Sequence, residues 1–178
     1  RICPPLDHEI GNEFHKYLEK SGFKIMLNKK CLSGTVDPNS KEAVVEIQDN
    51  KTGKTEKVVG DVCLIATGRK PHTDGLNLDK LGIQLDRQGR VIINEKFQTK
   101  FDNIFAIGDV VEGPMLAHKA EEEGVAVAEL LTGHEIHLNY NTIPGVIYTD
   151  PEIAFVGETE EQLKSLGIEY KVGKFPFA

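Results

Sequence analysis

Residues Asn103 to Asp109 read Asn-Ile-Phe-Ala-Ile-Gly-Asp, an apolar run that stops on a glycine and a carboxylate. No other stretch restricts the fold as tightly. A short continuous apolar run suits a strand covered on both faces, and such strands lie in sheets layered between helices. In open α/β sheets, ligands bind beyond the carboxyl ends of the strands, where Gly108 and Asp109 would fall. Gly108 permits close approach of backbone. An ionised Asp109 is acceptor-only, which suits sugar hydroxyls. Alone, the dipeptide reads more simply as a turn, so the neighbouring segments must decide.

Asp7, as an N-cap after Pro4-Pro5, precedes Ile10, Phe14, Tyr17 and Leu18 at helical spacing, and Gly22 can end that helix. Phe23 to Leu27 predicts a strand. Ala43 to Gln48 and Glu56 to Val59 predict a hairpin joined through Asp49 to Gly53. Val62 to Ala66 predicts a strand buried on both faces, with Cys63 as a small buried hydrophobe. Leu76, Leu78 and Leu81 before Gly82 predict a short helix, and Arg90 to Asn94 a further strand. Leu116 to Leu131 predicts a helix with Ala117, Ala120, Gly124, Val127 and Leu131 on one stripe. Val146 to Val156 is β-like. Thr159 to Gln162 has capping-box spacing, Gly167 can end the helix it starts, and Glu169 to Phe175 predicts a closing strand. Thr67 to Pro71 and Asn139 to Pro144 interrupt the pattern and mark two boundaries.

Charge and cysteine usage narrow the function classes. With 21 basic and 28 acidic residues the net charge is -7, which argues against nucleic acid as a partner. No apolar run approaches the roughly 18 residues of a membrane span. Cys3, Cys31 and Cys63 are odd in number and far apart, so a disulfide framework is not expected and a reducing compartment is. His134 and His137 form a lone HxxH, which reads as surface rather than as a metal site. No metal site is expected.

Thr99 to Val111 closely resembles the second FAD-binding motif of the pyridine nucleotide-disulfide oxidoreductases. The resemblance implies that Asp109 binds the ribityl chain of FAD. Gly113-Pro114-Met115-Leu116-Ala117-His118-Lys119-Ala120 is similar to the form found in the dihydrolipoyl dehydrogenases of that family. Tyr148 to Glu152 and Lys171 to Phe177 resemble the start of their interface domain. Ala66 to Pro71 matches the family's ATGRxP segment, which implies that Gly68 lets backbone pass close to the nicotinamide. Cys31 aligns with a position that meets the NAD adenine through backbone atoms.

The resemblance implies an α/β chain: part of a Rossmann-like, three-layer FAD/NAD(P)-binding fold, plus the start of an α+β dimerisation domain. Residues 1–70 would form the C-terminal half of an NAD-binding domain, 71–138 the returning FAD-binding segment, and 139–178 the N-terminal part of the interface domain. The implied cofactors are FAD and NAD, with Asp109, Met115, Leu116, Ala117, His118, Gly68 and Cys31 as contacts. The implied activity reoxidises protein-bound dihydrolipoamide to lipoamide with NAD+ as acceptor. The implied partners are a second copy and the lipoyl domains of 2-oxo acid dehydrogenase complexes. The implied location is the mitochondrial matrix in a eukaryote and the cytoplasm otherwise. The sequence holds no CxxxxC pair, no matching GxGxxG turn and no histidine in the family's acid/base setting. The expectation is therefore a central fragment with no catalytic residue of its own, inactive in isolation. Two other readings stay open: a flavin disulfide reductase of the mercuric or glutathione type, and a non-catalytic remnant that only dimerises.

Overall fold

The computed structural model describes residues 1–176, so Phe177, the last residue of the Lys171 to Phe177 resemblance, lies outside the described residues. Along the chain run α1 (His8–Lys20), β1 (Lys29–Val36), β2 (Ala43–Asp49), β3 (Thr55–Gly60), α2 (Leu78–Leu81), α3 (Ala117–Leu131), β4 (Gly145–Ile147), β5 (Ile153–Phe155) and α4 (Glu160–Ser165). Single 3-10 turns occupy Gly108–Val110 and Tyr140–Thr142. Two compact units result: Arg1–Ala66 with the stretch from Glu158 onward, and Thr67–Gly157.

In the first unit, Asp7 precedes α1 but does not cap it with its own side chain. Its Oδ1 instead accepts the Glu160 N–H at the start of α4 over 2.8 Å. Glu161 Oε1 accepts the His8 N–H at the start of α1 over 3.3 Å. The two helix starts thus exchange carboxylate caps, satisfying donors that have no partner inside either helix. The Thr159–Gln162 capping box is present in full. Gly22 and Gly167 stop α1 and α4 at φ +96° and +68°, values that favour glycine.

β1, β2 and β3 form an antiparallel sheet in that order, with Ile47 opposite both Cys31 and Glu56. β1 is an element that the residue pattern did not signal, and Phe23 to Leu27, expected as a strand, forms none. The expectation for Val62 to Ala66 also fails. The run is neither a strand nor buried: Val62 and Leu64 are each 85 % exposed, and Cys63 is exposed. A strand covered on both faces needs neighbouring strands and layers, and the described residues supply no partner beyond β3. All three cysteines are free.

The second unit is built round Ile83, Val91 and Val111, with Leu78, Ile93 and Ile104 packed against them. α2 closes on Gly82 at φ +63°. Arg90 to Asn94 and Asn103 to Asp109 were both expected as strands, and each contributes a single bridge position, Leu85↔Val91 and Gln98↔Phe105. Their amides bond to loops instead: Val91 N–H to the Val110 carbonyl at 2.7 Å, and Ala106 N–H to the Phe97 carbonyl at 3.0 Å. β4 and β5 pair antiparallel, Val146 opposite Ala154. Glu169 to Phe175 forms no strand among the described residues. α3 buries Lys119, Glu123 and Ala126, whereas Ala117 and Leu131 of the expected stripe are exposed. The reason is polar: this face of α3 meets the Gly108 N–H and carbonyl, which bond to Glu123 and Lys119. No described helix is long and apolar enough to cross a membrane.

Candidate functional site

Gly108 turns the chain from the apolar run into a 3-10 turn with φ +74°, a left-handed value. A Cβ added at Gly108 would stand 3.3 Å from the Ala120 Cβ. Both conformation and space therefore call for glycine where the turn meets α3. The turn presents Asp109, whose side chain is 39 % exposed and lies 3.5 Å from Arg69 Nε through Oδ2. Half-open in this way, the carboxylate retains acceptor capacity for hydroxyl groups.

α3 holds the turn from beneath. Glu123 Oε2 accepts the Gly108 N–H over 2.6 Å, and Lys119 Nζ donates to the Gly108 carbonyl over 2.9 Å. Lys119 and Glu123 have 0 % side-chain exposure and stand 3.2 Å apart, an i,i+4 pair. The remaining Glu123 oxygen, Oε1, accepts from Tyr140 Oη over 2.7 Å. Every charged atom in the group thus has a partner, as burial of charge requires. The Lys119 stem passes Gly113 so closely that a Cβ there would lie 2.9 Å from Lys119 Cε. Lys119, Glu123 and Tyr140 were not singled out from the sequence; the Lys–Glu i,i+4 spacing on a helix that follows a Gly-Asp turn was the available signal.

The α3 start lies at Ala117, directly after the Gly113-Pro114 turn, with Leu116 in extended conformation at the N-cap. No side chain caps it. The first-turn N–H groups carry the positive end of the helix dipole and remain open to an acceptor. Ala117 is exposed, and Met115, Leu116 and His118 are half-buried. His118 Nε2 donates to the Pro144 carbonyl over 2.8 Å, since a carbonyl can only accept. Gly68 has φ +96°, and a Cβ there would meet no atom within 4 Å. Its neighbour Arg69 ties this segment to Asp109. Cys31 belongs to the other unit, exposed on β1 opposite Ile47. Among the described residues no group of three or more His, Cys, Asp or Glu is arranged to hold a metal ion.

Residues 1–124 match the pyridine nucleotide-disulphide oxidoreductase family, and residues 143–178 match the dimerisation domain of the same proteins. The mitochondrial dihydrolipoyl dehydrogenases of Bos taurus and Homo sapiens are each 53% identical over 173 residues, covering 97% of this chain and 34% of theirs. That of Caenorhabditis elegans is 49% identical over 172 residues. The chain therefore spans about a third of the length of these curated relatives. Among solved structures, the HOCl-induced flavoprotein disulfide reductase RclA from Escherichia coli has a TM-score of 0.76 at 25% identity, covering 93% of this chain and 37% of that one.

Proposed function

This chain belongs to the pyridine nucleotide-disulphide oxidoreductase family, and on that premise we propose that the full-length protein is a dihydrolipoyl dehydrogenase. It reoxidises protein-bound dihydrolipoamide to lipoamide, with NAD+ as the final acceptor and FAD and a redox disulfide between them. The observation that carries this reading is the 53% identity to dihydrolipoyl dehydrogenases across 97% of the chain.

The residues present fit a flavin. A half-exposed carboxylate, a glycine turn in close backbone approach and a helix start without a side-chain cap fall within ten residues of one another in the chain. FAD supplies the electron-transfer chemistry when bound, and the protein supplies placement and electrostatics. In this reading Asp109 accepts hydrogen bonds from ribityl hydroxyls. The Leu116 N–H donates to the Pro114 carbonyl over 3.0 Å, so the N–H groups of Ala117 and His118 are the ones left to favour negative charge at their end of the site, and Ala117 leaves room for a ring. Met115 lines the approach. Gly68 leaves the backbone free to pass near the nicotinamide, and Cys31 meets the NAD adenine through main-chain atoms.

The proposed division is residues 1–70 for the NAD-binding part, 71–138 for the FAD-binding part and 139–178 for the interface part. The match to a dimerisation domain over 143–178 supports a homodimer. Lipoyl domains of 2-oxo acid dehydrogenase complexes are the proposed macromolecular substrates. The mitochondrial names of the relatives support a matrix location in a eukaryote.

The test is a purified full-length protein with a flavin absorbance spectrum and NADH production from dihydrolipoamide and NAD+. A second reading, another flavoprotein disulfide reductase, is supported by the likeness to RclA. A flavin-containing protein that ignores dihydrolipoamide would decide for that second reading.

A further inference from the structure

We propose that Lys119, Glu123 and Tyr140 are positioning residues for the flavin, acting on Asp109 through the backbone of Gly108; this rests on the flavin reading above. None of their polar atoms needs to touch a ligand. Lys119 and Glu123 are fully buried, so whatever they contribute must pass through the groups they hold. Those groups are the two ends of one residue: the Gly108 N–H, taken by Glu123, and the Gly108 carbonyl, taken by Lys119.

An apolar pair of similar volume would pack α3 without the cost of desolvating two charges, and such replacements are often neutral or stabilising. It could not bond the amide and the carbonyl of Gly108 together. With both peptide groups claimed, the orientation of Gly108 is set at φ +74°, and with it the Cα of Asp109. Tyr140 completes the arrangement by fixing the second carboxylate oxygen of Glu123, which Lys119 shares. Sideways relaxation is restricted, because Ala120 lies against Gly108 and the Lys119 stem lies against Gly113. The network thus converts a flexible glycine turn into a rigid mount for one carboxylate.

The experiment compares Lys119→Met, Glu123→Gln, Tyr140→Phe and Asp109→Ala in the full-length flavoprotein. Thermal melts, flavin affinity after dialysis and the flavin visible spectrum are measured, the last two well below each variant's melting temperature. A mount that positions Asp109 predicts a weakening of flavin affinity of about tenfold or more in Lys119→Met and Glu123→Gln, with a shifted flavin band. Tyr140→Phe, which removes one hydroxyl and keeps the ring, should move both readouts in the same direction by less. If the two buried-charge variants fail to fold, Tyr140→Phe decides alone. Native affinity and spectrum in every folded network variant, with flavin lost from Asp109→Ala, would overturn the positioning role and leave the flavin site standing. Native affinity in Asp109→Ala would instead overturn the flavin reading and this proposal with it.

Discussion

Tyr140 donates its phenolic hydrogen to Glu123 Oε1 over 2.7 Å. Burial of the hydroxyl, followed by the hydrogen bond to Glu123 and its charge, pushes the phenol above its usual value of 10.0. Ionising it would set a second negative charge beside a buried carboxylate. A group with a raised folded-state pKa stabilises the fold fully below its unfolded pKa, and that contribution is lost as pH rises through the folded value. Stability should therefore decline above about pH 10 through this residue, and Tyr140→Phe should lack that part of the decline. Thermal melts of both proteins across the alkaline range test it; parallel curves would count against it.

Asp109→Ala should weaken flavin retention in the full-length protein without unfolding it. Asp109 lies at a turn and is 39 % exposed, so little packing is lost. A hydrogen bond to a charged group is worth about 1.5–3 kcal/mol, roughly ten- to a hundredfold in affinity. Flavin content after dialysis is the measurement, and unchanged content would remove Asp109 from the site.

Asp49 organises the turn between β2 and β3. Its Oδ1 accepts the N–H groups of Thr52 at 2.8 Å and Lys51 at 2.9 Å, and Oδ2 accepts from Lys29 Nζ at 3.2 Å. The Thr52 amide, the Lys29 ammonium and then the Lys51 amide hold the carboxyl at about 2. Its contribution is present above the ordinary value of 3.8 and is lost as pH falls through about 2. Amide hydrogen exchange across β2 and β3 should quicken in Asp49→Ala at neutral pH, and in the unaltered protein only on acidification through that window. Equal exchange rates in both proteins at neutral pH would refute it.

Asp7→Ala should loosen α4, because the Asp7 carboxylate serves the start of that helix while Glu161 serves the start of α1. The expected cost is about 0.5–2 kcal/mol, the range for losing a helix cap. Chemical denaturation measures it, and a loss confined to α1 in residue-resolved exchange would contradict the exchanged-cap arrangement.

The 178-residue chain alone should give no NADH from dihydrolipoamide and NAD+, even with added FAD. It contains no pair of cysteines close in sequence to accept electrons from a dithiol: Cys3, Cys31 and Cys63 are all free. Turnover with this chain as the sole protein would refute the expectation.

Features that depend on neighbours a few residues away are legible in the order of residues alone. The α3 start after Gly113-Pro114, the α2 stop at Gly82, the Thr159–Gln162 box and the β2–β3 hairpin all follow from local sterics and capping. Tertiary structure alone decided which apolar residues are covered. Val62 to Ala66 has the composition of a central strand, yet a strand needs edges to pair with, and no local signal reports their presence. It also decided that Lys119 and Glu123 point inward. Charged residues on a helix ordinarily face water, because burying a charge is costly unless every polar atom finds a partner. Here those partners are the Gly108 backbone and Tyr140, far enough along the chain that only folding brings them together.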